Sequence, residues 1–338
     1  MLLKKVVLGA AVAAMALTGA MNAQAAAGDP GEGVTLKPAR ATWNTGFFQE
    51  ALVRRGLETL GYDVEKPKDL SNPIAYRSIE LGDIDYWCNG NFPLHTPQLP
   101  KNFEKKAKIL DPIIKAGGMQ GYLVSKKEVE KFNIKSLDDF KRPEVVKAFD
   151  ANGDGKADLT ACPPGWGCEK VISKHMEVFN LKDYIKPSTA SYEAGMASAI
   201  GAYKSGKPVF FYTWTPNWTV YKLKPGEDVM WINVPAEGDD QSPVSGIQGA
   251  VSDPLRNGFM VYDITVVANK KFLEKNPAAA NFLENFKLTI GDVSAQNTRM
   301  NNGEKSEKDI SKHVDEWIAK NQEKWDGWIA AARMAATE

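Results

Sequence analysis

The sequence has little cysteine and little histidine, three of each, and no surplus of charge of either sign. The histidines are scattered, and no His/Cys/Glu cluster has the spacing of a catalytic zinc site. There is no glycine-rich phosphate loop and no Gly-x-Ser-x-Gly elbow. Cys88 and His95 come nearest to a thiol nucleophile with its base, but no third group orients them. An enzyme is therefore not expected, and no cofactor is implied. Lys plus Arg number 42, as do Asp plus Glu, so net charge is zero. A balanced chain has no electrostatic footprint for nucleic acid or anionic lipid. Internal repeats are absent too.

The one long apolar run is at the N-terminus. Lys4 and Lys5 precede Val6 to Met21, and Ala23-Gln24-Ala25 reads as a cleavage site. Residues 1–25 are thus expected to be a secretory signal peptide, and the mature chain an exported, periplasmic one. The run is short for a membrane span. An oxidising compartment favours a disulfide between Cys162 and Cys168, stabilising by about 2 kcal/mol and fixing the loop's shape. Cys88 remains a buried free thiol.

The first part alternates between strand and helix. Val34 to Arg40 is strand-like. Asn44 is placed to cap a helix carrying Phe47, Phe48, Leu52 and Leu57 at helical spacing. Tyr62 to Glu65, a helix over Ala75 to Leu81, and a strand over Ile84 to Cys88 follow. This order predicts a parallel sheet with helices on its faces. In the middle, Gly121–Ser125, Lys207–Thr213 and Val229–Val234 read as strands. Helices are expected near Ser136–Phe140, Pro143–Phe149, Glu169–Phe179 and Tyr192–Ser205. Ala236 to Gly258 is loop-like, and Tyr262 to Asn269 is a strand. Pro277 opens a helical tail in which Trp317, Trp325 and Trp328 share an apolar stripe that packs on the body of the protein. Two α/β lobes in an exported, neutral chain suggest a hinged ligand-binding protein with its ligand in the cleft.

Three segments could carry recognition. In Ala161-Cys-Pro-Pro-Gly-Trp-Gly-Cys-Glu169 a helix begins after the turn. The amides of Gly167, Cys168 and Glu169 then lie at its N-terminus, where they favour an anion. Trp166 stands beside them. In Phe210-Phe-Tyr-Thr-Trp-Thr-Pro-Asn-Trp218 the strand ends near Trp214, where a cleft residue belongs. A quaternary ammonium offers no hydrogen-bond donor and is held by aromatic faces, each worth roughly 0.5–2 kcal/mol. The third segment, Asn89 to Pro97, is read as a loop after a strand and puts His95 within reach of a carboxylate.

The stretches Asp150 to Glu169, Gly206 to Trp218, Gln120 to Lys127 and Pro93 to His95 resemble the glycine betaine/proline betaine-binding proteins of osmoprotectant ABC transporters. The likeness runs from about Val34 to near the C-terminus. It implies an α/β two-lobe periplasmic binding protein of type II, each lobe a mainly parallel sheet flanked by helices, joined by two crossover strands. The expected lobes are 32–119 plus 263–338, and 120–262. It further implies cage tryptophans at Trp166 and Trp214, with carboxylate contacts from His95 and the amides of Gly167 and Cys168. The paired cysteines of the family match Cys162 and Cys168. The implied partners are a small zwitterion, a permease and its ATPase, and the protein is expected to be a monomer.

One position departs from the pattern. Asn91 stands where the family has a third cage tryptophan. Trp43, after the first strand, is expected to rebuild that wall, with Asn91 adding a polar contact; Trp87 is the rival. The change leaves room for a sulfonium osmolyte such as dimethylsulfoniopropionate, or for carnitine or choline. Separately, Asp150, Asn152, Asp154 and Asp158 have the odd spacing of a calcium loop, but Ala161 occupies the position of its closing glutamate.

Overall fold

The computed structural model describes residues 29–235 and 243–337. The expected signal peptide lies outside them. A nine-stranded sheet runs through the whole molecule. From one edge its order is Lys68–Asp69, Pro38–Arg40, Tyr86–Phe92, Tyr262–Asn269, Ala107–Ser125, Phe210–Thr215, Ala157–Thr160 and Ile185–Ser188, with Val229–Ile232 also paired to Ala107–Ser125. The outer strands on either side pair in parallel. The two strands between the lobes are antiparallel to their neighbours.

The strand Ala107–Ser125 is 19 residues long, and only its end, Gly121–Ser125, reads as a strand in the sequence. Pro112 and Gly117-Gly118 obscure the rest. Its first part pairs with Tyr262–Asn269 as far as Gly118, opposite Tyr262. From Met119 onward it pairs with Phe210–Thr215. Gly118 is needed here: a Cβ would lie 2.1 Å from Tyr262 Cζ.

Local rules account for most helices. Phe47–Thr59 buries Phe48, Leu52 and Leu57. Asn72–Leu81 has Pro73 in its first turn and stops at Gly82, whose φ of 83° suits glycine. The C-terminal helices Glu307–Lys320 and Gln322–Ala335 bury Trp317 and Trp325, and Trp328 stacks on Trp317. Trp317 and Trp325 are core and the half-buried Trp328 packs against it, as their stripe predicts.

Three expectations need correction. Asn44 does not cap the first long helix: it begins a 3₁₀ turn, Asn44–Gly46, that runs straight into it. The segment after Ser136 is a 3₁₀ helix, Leu137–Lys141, closed by a capping box between Ser136 and Asp139. The strand placed at Ile84–Cys88 is Tyr86–Phe92, so Asn91 is on the strand rather than in the loop; the polar run Asn89-Gly90-Asn91 hides this. Within the expected helical tail, the helix Ile290–Asn301 starts at a Thr289/Asp292 capping box.

Candidate ligand-binding site

Trp43, Asn91, His95, Trp166, Gly167, Cys168 and Trp214 all line one small cavity of about 30 Å³. Leu94, Gln120, Tyr212 and Tyr262 complete its wall. Leu94, Gln120 and Tyr212 lie within segments singled out by sequence, but Tyr262, at the start of a strand, carries no local signal of its role.

The aromatic side is built from three indoles. Trp166 is central, with ring centroids 5.3 Å from Trp43 and 5.7 Å from Trp214. The interplanar angles are 73° and 77°, so the rings meet like walls of a box. Trp43 comes from the connection after strand Pro38–Arg40, Trp214 from strand Phe210–Thr215 and Trp166 from the N-cap of helix Gly167–Val178. Tyr192 backs the box at 4.9 Å from Trp214, its hydroxyl fixed 2.8 Å from Thr213 Oγ1. Trp166 Nε1 donates to Thr42 Oγ1 at 2.8 Å. Trp87 is fully buried, packed edge-on against Tyr76 and stacked on His95, and is not part of the cavity wall.

The polar side is the start of helix Gly167–Val178. The N–H groups of Gly167 and Cys168 have no partner within the helix, whereas that of Glu169, expected to favour an anion as well, bonds the Trp166 carbonyl at 3.3 Å. Cys162 and Cys168 form a disulfide that closes the turn leading into it. Glycine is required at 167, since a Cβ would lie 2.7 Å from His95 Cδ2 and 2.9 Å from Leu94 Cγ.

His95 borders the cavity but is 1% exposed. Tyr76 Oη lies 2.7 Å from its Nδ1, and the Asn91 N–H donates to the same nitrogen at 3.2 Å. Asn72 Nδ2 lies 3.0 Å from Nε2. Burial pushes its pKa down to about 3, so the ring is neutral at physiological pH. His95 thus enters the site as a neutral imidazole whose Nδ1 is an acceptor. The buried network of Asn72, Tyr76 and Gln98 around it is not legible in the sequence, because its members come from a helix and a turn with no shared motif.

The Asp150 turn is held by hydrogen bonds of its own. Asp150 accepts from the amides of Gly153, Asp154 and Gly155, and Asp158 accepts from Ala151 N–H and Asn152. Asp154 is paired with Lys186. Among the described residues no group of three or more His, Cys, Asp or Glu is placed to hold a metal ion. Cys88 is a buried free thiol whose pKa burial pushes up, as its strand position suggested.

A family model described as the substrate binding domain of ABC-type glycine betaine transport systems matches residues 34–320. The glycine betaine-binding periplasmic protein OusX of Dickeya dadantii is 41% identical over 331 residues, 96% of this chain and 98% of that protein. The glycine betaine/proline betaine-binding periplasmic protein of Salmonella typhimurium is 41% identical over 320 residues, 93% of this chain and 95% of that one. Among solved structures, lactococcal OpuAC, closed and complexed with glycine betaine, superposes with a TM-score of 0.67 at 21% identity. It covers 88% of this chain and 99% of its own, and at that identity the likeness carries the fold alone. These relatives are substrate-binding transport proteins and not enzymes. The chain belongs to the family of substrate-binding domains of ABC-type glycine betaine transport systems.

Proposed function

We propose that this protein captures a quaternary-ammonium zwitterion of the glycine betaine or proline betaine type for an ABC importer. One observation carries the reading: three indoles and the open amides of a helix start line a single cavity. The box of Trp43, Trp166 and Trp214 suits a permanent cation that cannot donate a hydrogen bond. The N–H groups of Gly167 and Cys168 suit the carboxylate at the other end of a short molecule. His95 borders that end as a neutral ring, and Asn91 offers a carboxamide in place of a further aromatic wall.

In this reading the chain is exported after removal of residues 1–25 and works in the periplasm as a monomer. Lobes 32–119 plus 263–338 and 120–262 close on the ligand, and the closed form delivers it to a permease driven by its ATPase. The change of sheet partner between Gly118 and Met119 supports that division.

The test is tryptophan fluorescence during titration with glycine betaine, proline betaine, dimethylsulfoniopropionate, carnitine and choline. Betaines should bind, and choline should bind at least about a hundredfold more weakly, because it leaves the Gly167 and Cys168 amides unpartnered. Equal affinity for choline and glycine betaine contradicts the anion site. No response to any of the panel contradicts the whole reading.

A further inference from the structure

The turn that carries Trp166 is held from across the cavity. Gln98, on the 3₁₀ turn Thr96–Gln98, donates through Nε2 to the carbonyls of Gly165 at 3.2 Å and Trp166 at 3.3 Å. Its Oε1 accepts from Asn72 Nδ2 at 2.9 Å. Both residues are buried. Two donors and one acceptor fix the carboxamide in one orientation.

What that orientation controls follows from peptide geometry. The Trp166 carbonyl and the Gly167 N–H belong to one planar unit. Holding the oxygen therefore aims the N–H. A hydrogen bond accepted by a carbonyl also polarises the N–H of the same unit and strengthens it as a donor. The Glu169 N–H, at 3.3 Å from the same oxygen, adds to both effects.

We propose that Gln98 is a positioning residue for the ligand's anionic end, acting through the Trp166 carbonyl on the Gly167 N–H. This rests on the reading above, in which the Gly167 amide takes the ligand carboxylate. Gln98 is not itself part of the cavity wall. Its effect is confined to ligands with a negative end. Thr42, which bonds the Trp166 ring instead of the backbone, is the natural control: it too reaches across the cleft, but it bears on the aromatic wall that any cationic ligand uses.

The experiment titrates glycine betaine and choline into wild type, Gln98→Leu, Gln98→Met and Thr42→Val, choline being carried to high millimolar concentration. Gln98→Leu and Gln98→Met should weaken glycine betaine by roughly tenfold while choline changes by less than about twofold. Thr42→Val should weaken both ligands alike. Loss of both ligands in equal measure on changing Gln98 would overturn the proposal, since a contact that only favours lobe closure acts on every ligand. The wild-type Gly167 amide resonance, followed by NMR, keeps the two readings apart. If glycine betaine binds without moving it, the anion site is misassigned and the role of Gln98 falls with it. If it moves and the Gln98 variants bind as wild type does, the site stands and the positioning role fails.

Discussion

At the scale of single residues, Trp43 and Trp87 show how far a sequence can be read. Both are tryptophans near strands of the first lobe, and alternation alone cannot say which faces the cleft. Trp43 follows a strand end and reaches the cavity; Trp87 lies within a strand and fills the core beside Tyr76. Trp43→Ala should weaken glycine betaine by more than about tenfold in calorimetry, in line with the loss of one cation–π wall and its packing. An unchanged affinity would remove Trp43 from the site. The pH behaviour belongs here too. His95 and His175 are pushed by burial to about 3 and about 4. Neither changes charge between pH 6 and 8, so affinity measured across that range should vary by less than about twofold. Their effect on stability has a definite sign. The unfolded chain protonates first, near pH 6.5, so the stability these rings contribute is present above that pH and is lost as pH falls towards 4. Thermal melts between pH 4.5 and 7 should show a shallower decline for His175→Gln than for wild type; parallel curves would contradict this. Gln98 and Thr42 escaped the sequence because their partners lie across a cleft, and no local pattern encodes which residues meet there.

At the scale of elements, the start of helix Gly167–Val178 was legible from its glycine, its cysteine pair and the apolar spacing beyond. The long strand Ala107–Ser125 was not, because proline, charge and paired glycines break its alternation while tertiary pairing maintains it. Gly167 shows what the helix start must meet. It presses against Leu94 and His95, which belong to the facing lobe. Gly167→Ala should therefore leave the melting temperature close to that of wild type, since an open form relieves the clash, yet weaken ligand by at least about tenfold by blocking closure. Normal affinity in that variant would mean the two surfaces do not need to meet. The turn at Asp150 has the spacing of a cation loop, and its first carboxylate accepts from three amides of the same turn.

At the scale of the whole molecule, one sheet passes through both lobes, and the exchange of partners after Gly118 leaves two strands as the connection between them. The alternation of strands and helices foretold the parallel flanks; the antiparallel pair in the middle could not be foretold, since it joins segments distant in the chain. If the lobes open and close about those strands, contacts such as Gln98 to the Trp166 carbonyl belong to the closed form. Saturating ligand should accordingly reduce the radius of gyration in small-angle scattering, and an increase would be at odds with closure. The account's central claim is that indoles from both lobes enclose the cation of one zwitterion whose anion rests on the helix start. Calorimetry of glycine betaine with wild type and Trp166→Ala tests it most directly. One molecule should bind per wild-type chain, and the variant should lose more than about thirtyfold in affinity; a wild type that binds nothing, or a variant that binds equally well, would contradict it.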